Sequence, residues 1–402
     1  MNAEEAAEPA RHLGARVVAL GVAQIVSWGT LFYTIAVLGA GMRADTGVSD
    51  ALLFGAFSAG LFLSGAASPA VGRWIDAGHG RRALSAGSCV GALSLAILAF
   101  AQGPVTLFAG WLAAGAAMAL TLYDPAFAVL HTMSGTRYRH AITTLTLFGG
   151  FASTVFWPLS LWLQERYGWR GAFGVFAAMH LVLCLPLHLL AIPPSRRADI
   201  SAAPRPAHAT PDPRDGGGAT FVWLAIALSG ASFIASALSA HAIGLLTASG
   251  LTAADAVLIG AVFGPMQVAG RVVEFTAGRR LRAQTVGTLA FALLAFALLL
   301  LSQVRGVMLT ALGFALLYGF SNGVMTIVRG TVPAEIFGRR NFGTLLGRLA
   351  RPQLIARAVA PVALALCFTF DPARTTTPYL LVAVGAAALV AYRGAVRQHR
   401  PR

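Results

Sequence analysis

The stretch GRWIDAGHGRR at residues 72–82 recurs, in altered form, as GRVVEFTAGRR at residues 270–280. Both copies begin with Gly-Arg, end with Gly-Arg-Arg and hold one acidic residue, which is Asp76 in the first and Glu274 in the second. The identical positions are Gly72, Arg73, Gly80, Arg81 and Arg82 in the first copy and Gly270, Arg271, Gly278, Arg279 and Arg280 in the second. The copies lie about half the chain apart, which predicts an internal repeat.

The composition around these stretches indicates a membrane protein. Of the 402 residues, 57% are hydrophobic and 11% are charged. A soluble globule needs far more polar surface than this chain supplies. We therefore place the chain in a lipid bilayer.

Twelve apolar runs are long enough to cross a bilayer as helices. These spans 1 to 12 cover roughly residues 15–39, 51–72, 83–102, 105–131, 141–163, 171–192, 220–247, 255–275, 284–303, 306–331, 342–368 and 376–395. No run shows the in/out alternation of a membrane strand, so the predicted fold class is an all-α membrane protein. Span 1 is too long for a signal peptide and is soon followed by span 2, so we expect it to be retained.

Residues 193–219 separate six spans from six others. This segment is rich in proline, glycine and charge, which predicts a flexible linker. The predicted domains are a six-helix bundle over 1–192 and a second, pseudo-symmetric bundle over 220–402. The two charged stretches then follow spans 2 and 8, as in transporters built from internal repeats.

The arginines predict the orientation. The chain has no lysine, and most of its thirty basic residues lie at the termini, in the 193–219 linker or in the loops after the even-numbered spans. The opposite loops hold only Arg43, Arg166, Arg170, Arg305 and Arg374. The positive-inside rule then places both termini in the cytoplasm, and we expect a bacterial inner membrane. Topology and anionic headgroups explain the net charge of +15, so no nucleic-acid partner is predicted.

The first charged stretch resembles a signature of the major facilitator superfamily, G-x-x-x-D-R-x-G-R-R, at Gly72, Asp76, Gly80, Arg81 and Arg82. It departs by having Ala77 at the usual base and one extra residue before Gly80. YGWRGAF at 167–173 is also similar to members of this family. The resemblance implies a secondary transporter that binds a small molecule between its two halves and alternates access. It implies a monomer in the bilayer, no cofactor and no enzymatic activity.

The charged stretches have two readings. Asp76 and Glu274 lie near the ends of their helices, where a carboxylate can hold an arginine or a helix N-terminus in one state and release it in the other. The arginines of both stretches would then form a cytoplasmic gate. Alternatively, the arginines only fix the orientation of the chain in the membrane.

Arg357 is the leading candidate for a substrate-binding cation. A charge at the centre of a membrane helix costs at least about 2.5 to 3.5 kcal/mol, so it usually serves a function. If span 11 begins near Phe342, Arg357 lies close to the midplane. If span 11 begins near Pro352, Arg348, Arg351 and Arg357 all become interfacial. If Arg357 does lie close to the midplane, we expect an anionic substrate.

Asp124 is the candidate for proton coupling. It precedes Pro125 within span 4, and a proline frees the carbonyl one turn earlier. A carboxylate beside such a break binds either a proton or a cationic partner. Arg329 in span 10 is a natural partner, so a structural ion pair between the halves is the equal alternative.

Other polar residues in the spans are candidates for lining a cavity. Gln24, Trp28 and Tyr33 fall within one helical stripe of span 1. The remaining candidates are His241, Gln267, Tyr318 and Asn322. His241 titrates near neutral pH in solution and so offers a second route for proton coupling, but a lone histidine in an apolar helix more often serves packing.

The sequence favours a proton-coupled carrier of a small organic anion. A drug or metabolite exporter is the alternative, although Trp111 and FWP at 156–158 replace two features frequent in such exporters. Monocarboxylate and oxalate/formate carriers are distantly similar, but Val37 and Met266 stand where those carriers place bases. A membrane sensor that no longer transports has little room for a partner domain. No catalytic cluster or ATP-binding motif is present to favour an enzyme or pump.

Overall fold

The computed structural model describes residues 3–194, 218–276, 281–337 and 342–399, and these ranges contain helices and no strands. The chain divides into two compact units, Met1–Pro204 and Arg205–Arg402. The predicted linker at 193–219 lies almost entirely outside the described residues. Its flexibility therefore stays a prediction, as do the predicted domain boundaries.

The described residues of the first unit form nine α-helices, joined in places by tighter or wider helical turns. The helices are α1 Ala3–Trp28, α2 Ile35–Thr46, α3 Asp50–Trp74, α4 Gly80–Ala99, α5 Pro104–Thr121, α6 Tyr123–Ser134, α7 Tyr138–Gly150, α8 Ala152–Met179 and α9 Leu185–Ala191. The π-helical turns are Gly29–Tyr33, Ile75–His79 and His180–Cys184, and Gly135–Arg137 is a 3-10 turn.

Within the second unit, residues 218–276, 281–337 and 342–399 form seven helices. They are α10 Ala219–Ala248, α11 Ala253–Ala261, α12 Phe263–Thr276, α13 Ala283–Ser302, α14 Met308–Phe337, α15 Phe342–Phe370 and α16 Thr377–His399. Span 11 therefore begins at Phe342 among the described residues, and Arg357 lies inside a long helix.

Twelve membrane crossings follow from these helices. The described residues form 10 apolar helical segments long enough to span a bilayer. Two of them, Asp50–Ala99 and His140–Ala191, have 50 and 52 residues. At 1.5 Å per residue each is about 75 Å long, or more than twice the hydrocarbon thickness. Gly78 and Gly168, with φ of 84° and 68°, interrupt the helical backbone near the middle of these segments and separate one crossing from the next.

The helices pack closely where glycine removes the side chain. A Cβ atom at Gly115 in α5 would overlap the carbonyl oxygen of Gly60 in α3. In the second unit, a Cβ atom at Gly323 in α14 would overlap the carbonyl oxygen of Gln267 in α12. Span 2 thus packs on span 4, and span 8 on span 10, by the same backbone contact. The internal repeat is therefore present in the packing as well as in the charged stretches.

The YGWRGAF stretch joins helix ends in the first unit. Trp169 Nε1 and Arg170 Nη1 both donate to Asp45 Oδ2, at 2.8 and 2.7 Å. Arg170 Nη2 also donates to the carbonyl of Ala101, just after α4, at 3.1 Å. The Arg170 guanidinium stacks on the Trp169 ring at 4.1 Å. The stretch therefore ties α8 to the ends of α2 and α4.

Replacing Gly115 by alanine tests the close contact between α3 and α5. The added methyl group has no space against the Gly60 carbonyl, so we expect destabilisation of about 1–3 kcal/mol. Gly174→Ala in α8 is the matched control, because a Cβ atom there meets nothing within 4 Å. Alanine should be neutral or slightly stabilising at Gly174. Thermal unfolding in detergent compares the two variants, and equal melting temperatures would contradict the packing argument.

Asp371 organises the loop between α15 and α16. Its carboxylate accepts backbone N–H groups of Thr375, Thr376 and Thr377 at 3.1, 2.8 and 2.9 Å. The hydroxyl groups of Thr375 and Thr377 add bonds of 3.3 and 3.0 Å. Burial alone would raise the pKa of this carboxyl, but the hydrogen bonds from Thr377 and Thr376 outweigh it and hold the pKa well below its usual range. The ionised form therefore stabilises the folded loop.

The stabilisation by Asp371 should depend on pH in a defined window. Because the folded-state pKa is depressed, the stabilisation is fully present above the unfolded value of about 3.9 and is lost as pH falls below it. We expect Asp371→Ala to melt at a lower temperature than the parent by a similar margin at pH 7 and pH 5, and by a smaller margin below about pH 4. Melting curves across this range make the measurement. A margin that grows on acidification would have the wrong sign.

Candidate functional site

A proline breaks span 4 in the first unit. The helix α5 ends at Thr121, Leu122 adopts an extended ψ of −160°, and α6 begins at Tyr123. Pro125 has no N–H to donate to the carbonyl of Thr121, four residues earlier. The side chain of Gln24, which is fully buried, donates from Nε2 to this carbonyl at 2.5 Å. The Gln24 amide nitrogen therefore holds the break together.

Asp124 lies in the first turn of α6, directly after this break. Its side chain is exposed, and Ser68 of α3 donates a hydrogen bond to Oδ2 at 3.3 Å. Asp124 thus lies at the end of α6 that carries partial positive charge. The break thus presents a carboxylate within an apolar span.

An aromatic cluster adjoins Asp124. The Trp28 ring lies 5.0 Å from the Tyr123 ring and 6.5 Å from the Tyr33 ring. Tyr33 follows Trp28 by five positions, a rotation of about 140° on a regular α-helix, so the single stripe predicted from the sequence would not form there without a wider turn. The π-helical turn Gly29–Tyr33 widens the helix, so this step becomes one full turn and the two rings meet. Trp157 Nε1 donates to the carbonyl of Tyr33 at 2.9 Å and ties the turn to α8.

Two histidines of the first unit serve contacts between helices. His180 and His188 are both fully buried. They form hydrogen bonds of 2.8 Å to the hydroxyl groups of Thr30 and Ser88, respectively. These contacts join span 6 to spans 1 and 3.

In the second unit, a proline likewise leaves a backbone carbonyl without its helical donor, and different side chains pair with the backbone there. Pro361 in α15 leaves the carbonyl of Arg357 without its helical donor. Ser236 in α10 donates to that carbonyl at 2.7 Å. His241, also in α10 and 2% exposed, forms a 2.8 Å hydrogen bond to the carbonyl of Pro361. Because a carbonyl only accepts, His241 Nε2 carries the proton, and this bond anchors span 7 to span 11.

Two arginines of the second unit interact electrostatically. Arg357 is half-buried in α15, and Arg329 is half-buried in α14. The two charges are near enough to repel, and Tyr318 lies near Arg329. Arg329 Nε is shielded from solvent and has no hydrogen-bond partner among the described residues. A buried guanidinium N–H without a partner is unusual in a folded protein.

The other candidates of the second unit lie on adjoining helices. Tyr318, Asn322 and Arg329 are four and seven residues apart, so they share one face of α14. Tyr318 is 3% exposed, its ring packs 4.7 Å from that of Phe263, and Asn322 is half-buried. Gln267 in α12 is 8% exposed.

The comparisons decide the family. A sequence model of the Major Facilitator Superfamily matches residues 20–361. The chain belongs to the major facilitator superfamily. This membership confirms the predicted all-helical membrane fold. A member of this superfamily is a secondary transporter of a small solute, and this chain is a multi-pass membrane protein and not an enzyme.

Solved structures of superfamily transporters share the fold of this chain. A mutant of the nucleoside transporter NupG aligns with a TM-score of 0.76 at 12% identity, covering 95% of this chain and 99% of its own. A bacterial homologue of the human lysosomal transporter Spinster, inward-facing and unoccupied, aligns with a TM-score of 0.66 at 15% identity, covering 96% and 93%. Comparison with curated protein sequences finds no significant match. The likeness concerns the fold alone.

The superfamily signature lies at helix ends. Gly72 and Arg73 belong to the last turn of α3, and Asp76 is exposed in the π-helical turn Ile75–His79. Residues Gly80, Arg81 and Arg82 open α4. In the second copy, Gly270, Arg271 and Glu274 lie within α12, whereas Gly278, Arg279 and Arg280 lie outside the described residues. A Cβ atom at Gly270 would overlap the carbonyl oxygen of Phe320, so this glycine also serves helix packing.

Sequence reasoning missed several residues that shape this transporter. It considered Arg329 only as a partner for Asp124, although the arginine in an apolar span was itself a signal. Trp157 and Ser236 carried no signal of their own, because each acts on a backbone carbonyl far away in sequence. The prolines signalled that carbonyls would need donors, but not which helix would supply them.

A double-mutant cycle tests the role of Gln24. In Gln24→Leu the Thr121 carbonyl loses its donor, and we expect a loss of about 1–3 kcal/mol. In a Pro125→Ala background, the restored backbone N–H at position 125 can bond to this carbonyl, so the same Gln24→Leu change should cost less. Thermal unfolding of the four proteins in detergent measures both costs. Equal costs in the two backgrounds would show that Gln24 acts elsewhere.

Proposed function

We propose that this transporter moves a small organic anion across the membrane by alternating access. The observation that carries the proposal is the positive charge in spans 10 and 11, at Arg329 and Arg357 of the same unit. Keeping a cation within a membrane helix costs several kcal/mol unless a cavity or ligand compensates for it. A bound carboxylate would accept hydrogen bonds from the shielded Arg329 Nε and lower the repulsion between the two guanidinium groups.

The other polar residues of the second unit fit a solute-binding role beside these arginines. Tyr318 and Asn322 share the α14 face with Arg329 and provide hydroxyl and amide donors. Gln267 and His241 lie on α12 and α10, where they contribute to packing as well. In the first unit, Trp28 and Tyr33 are the candidates for contact with the solute. Gln24 is a candidate for an indirect role, because its side chain holds the break in span 4.

We propose proton coupling through Asp124. Its exposed carboxylate lies at the break of span 4, beside the aromatic cluster of Trp28, Tyr33 and Tyr123. Protonation would remove a negative charge from this place and so link solute movement to the proton gradient. His241 is the weaker candidate, because its Nε2 is occupied by the Pro361 carbonyl.

The proposed orientation places both termini in the cytoplasm of a bacterial cell, with the chain in the inner membrane as a monomer. The distribution of arginine supports this orientation. On this orientation the two charged stretches face the cytoplasm. The exposed Asp76 and the arginines that open α4 are then placed to form and break ion pairs as a gate.

The aromatic cluster favours a second candidate function. Trp28, Tyr33 and Tyr123 offer ring faces to an apolar or cationic solute, and Asp124 adds a negative charge. Such a solute would fit an exporter of drugs or metabolites. The arginines of spans 10 and 11 favour an anion instead.

Uptake into proteoliposomes tests the anion proposal. Labelled carboxylates, amino acids and cationic dyes are offered under an imposed pH gradient. We expect the parent protein to take up a carboxylate and Arg357→Gln to reduce this uptake about tenfold or more, because the variant removes a charge that binds the solute. Arg351→Gln, at an exposed position of the same helix, should keep the activity.

The alternative outcome is equally specific. Movement of a cationic dye that is insensitive to Arg357→Gln, with no carboxylate uptake, would reject the anion proposal and favour the exporter. A correctly inserted Arg357→Gln protein, shown by its elution as a single peak in detergent, is required for either conclusion.

A further inference from the structure

A groove lies between α1 and the start of α7 in the first unit. It encloses about 560 Å³, a size typical of sites that hold a small ligand. Its lining includes Gly14, Val17 and Val18 of α1, Arg137 of the 3-10 turn before α7, and Ala141 and Thr144 of α7. Val18 and Arg137 are exposed, so the groove opens to the surroundings of the protein.

The floor of the groove belongs to the packed core of the first unit. Val17 and Ala141 are buried, and both are part of a hydrophobic cluster that also includes Leu20 and Leu145. On the open side, Gly14 has no side chain, and a Cβ atom built there would meet nothing within 4 Å. The groove is therefore a concavity that is left open at a glycine and closed behind by packed side chains.

The groove lies at the level of the lipid headgroups. The apolar membrane segments that contain α1 and α7 begin at Leu13 and His140. Arg137 precedes the second of these segments, whereas Val17 lies four residues, or about 6 Å, inside the first. A headgroup layer flanks the hydrocarbon core of a bilayer on each side. The polar end of the groove therefore lies among headgroups, and its apolar part lies beside acyl chains.

Its charge distinguishes this groove from an ordinary lipid-facing surface. Among the described residues, its lining holds the guanidinium of Arg137 and no acidic residue. No carboxylate of the described part of the chain forms an ion pair with Arg137. A guanidinium binds a phosphate through two parallel N–H groups, and the hydroxyl of Thr144 offers a further donor. The ammonium group of a zwitterionic headgroup would meet no carboxylate here, so the groove favours a headgroup with net negative charge.

We propose that this groove binds one anionic phospholipid of the membrane, with its phosphate on Arg137 and an acyl chain along Val17 and Val18. A lipid fits better than a soluble anion, because only a lipid fills the polar end and the apolar part together. Basic pockets between membrane helices bind anionic headgroups in this way. The bound lipid bridges α1 and α7 and so stabilises the contact between spans 1 and 5. This inference does not depend on which solute is transported.

Lipid titrations of the purified, delipidated protein test the headgroup requirement. Native mass spectrometry in an uncharged detergent measures the affinity for phosphatidylglycerol and for phosphatidylcholine with the same acyl chains. We expect phosphatidylglycerol to bind at least about fivefold more tightly, and to raise the melting temperature more at equal concentration. Glycerol phosphate, which has the phosphate but no acyl chain, should produce neither effect.

Two variants separate the charge of the groove from its shape. Arg137→Gln removes the group that binds the phosphate, so it should lower the affinity for phosphatidylglycerol to that for phosphatidylcholine. Gly14→Phe fills the groove and keeps the charge, so it should abolish tight binding of phosphatidylglycerol as well. The matched controls are Arg397→Gln in α16 and Gly174→Phe in α8, both at exposed positions, and both should bind like the parent.

Three results would overturn the inference. The first is an equal affinity of the parent for the two lipids, which needs no variant and so does not depend on how well a variant folds. The second is tight binding of phosphatidylglycerol that both groove variants retain, or a loss in Arg397→Gln as large as that in Arg137→Gln. The third is binding of glycerol phosphate as tight as that of the lipid, which would make the groove a site for a soluble anion.

Discussion

The backbone carbonyls freed by proline impose the constraint on which both candidate sites depend. Within hydrocarbon no water is available to pair a carbonyl that its own helix leaves without a donor. Pro125 frees the carbonyl of Thr121, and Pro361 frees that of Arg357. Gln24 and Ser236, each from the first span of its unit, supply the missing donors. Each of these carbonyls is thereby paired with a side chain from a neighbouring helix.

The two prolines lie beside the charged residues of their spans. Pro125 directly follows Asp124, whose exposed side chain lies at the positive N-terminal end of α6. Pro361 lies one turn beyond Arg357 in the continuous helix α15, and Ser236 and His241 of α10 bind the carbonyls of Arg357 and Pro361.

The two units share a backbone plan but differ in chemistry. In both, glycine brings the second span of the unit against the fourth, and a side chain hydrogen bond ties the first span to the fifth. On this common set of helix contacts, the first unit has an aromatic cluster and a carboxylate. The second unit has two arginines, a tyrosine and an amide. The two units therefore share a scaffold on which different side chains are placed.

The sequence by itself determined the membrane class, the number of crossings and the internal repeat, because apolar length and repeated charge are properties of the chain that need no folding to read. It also identified Asp124 and Arg357 as costly charges in apolar spans. Only the tertiary structure decided what surrounds them. Gln24 is 97 residues from Thr121, and Ser236 is 121 residues from Arg357, so no local pattern could pair them. The π-helical turn that joins Trp28 to Tyr33, and the electrostatic interaction of Arg329 with Arg357, likewise arise from helix packing, which brings together residues that the sequence keeps apart.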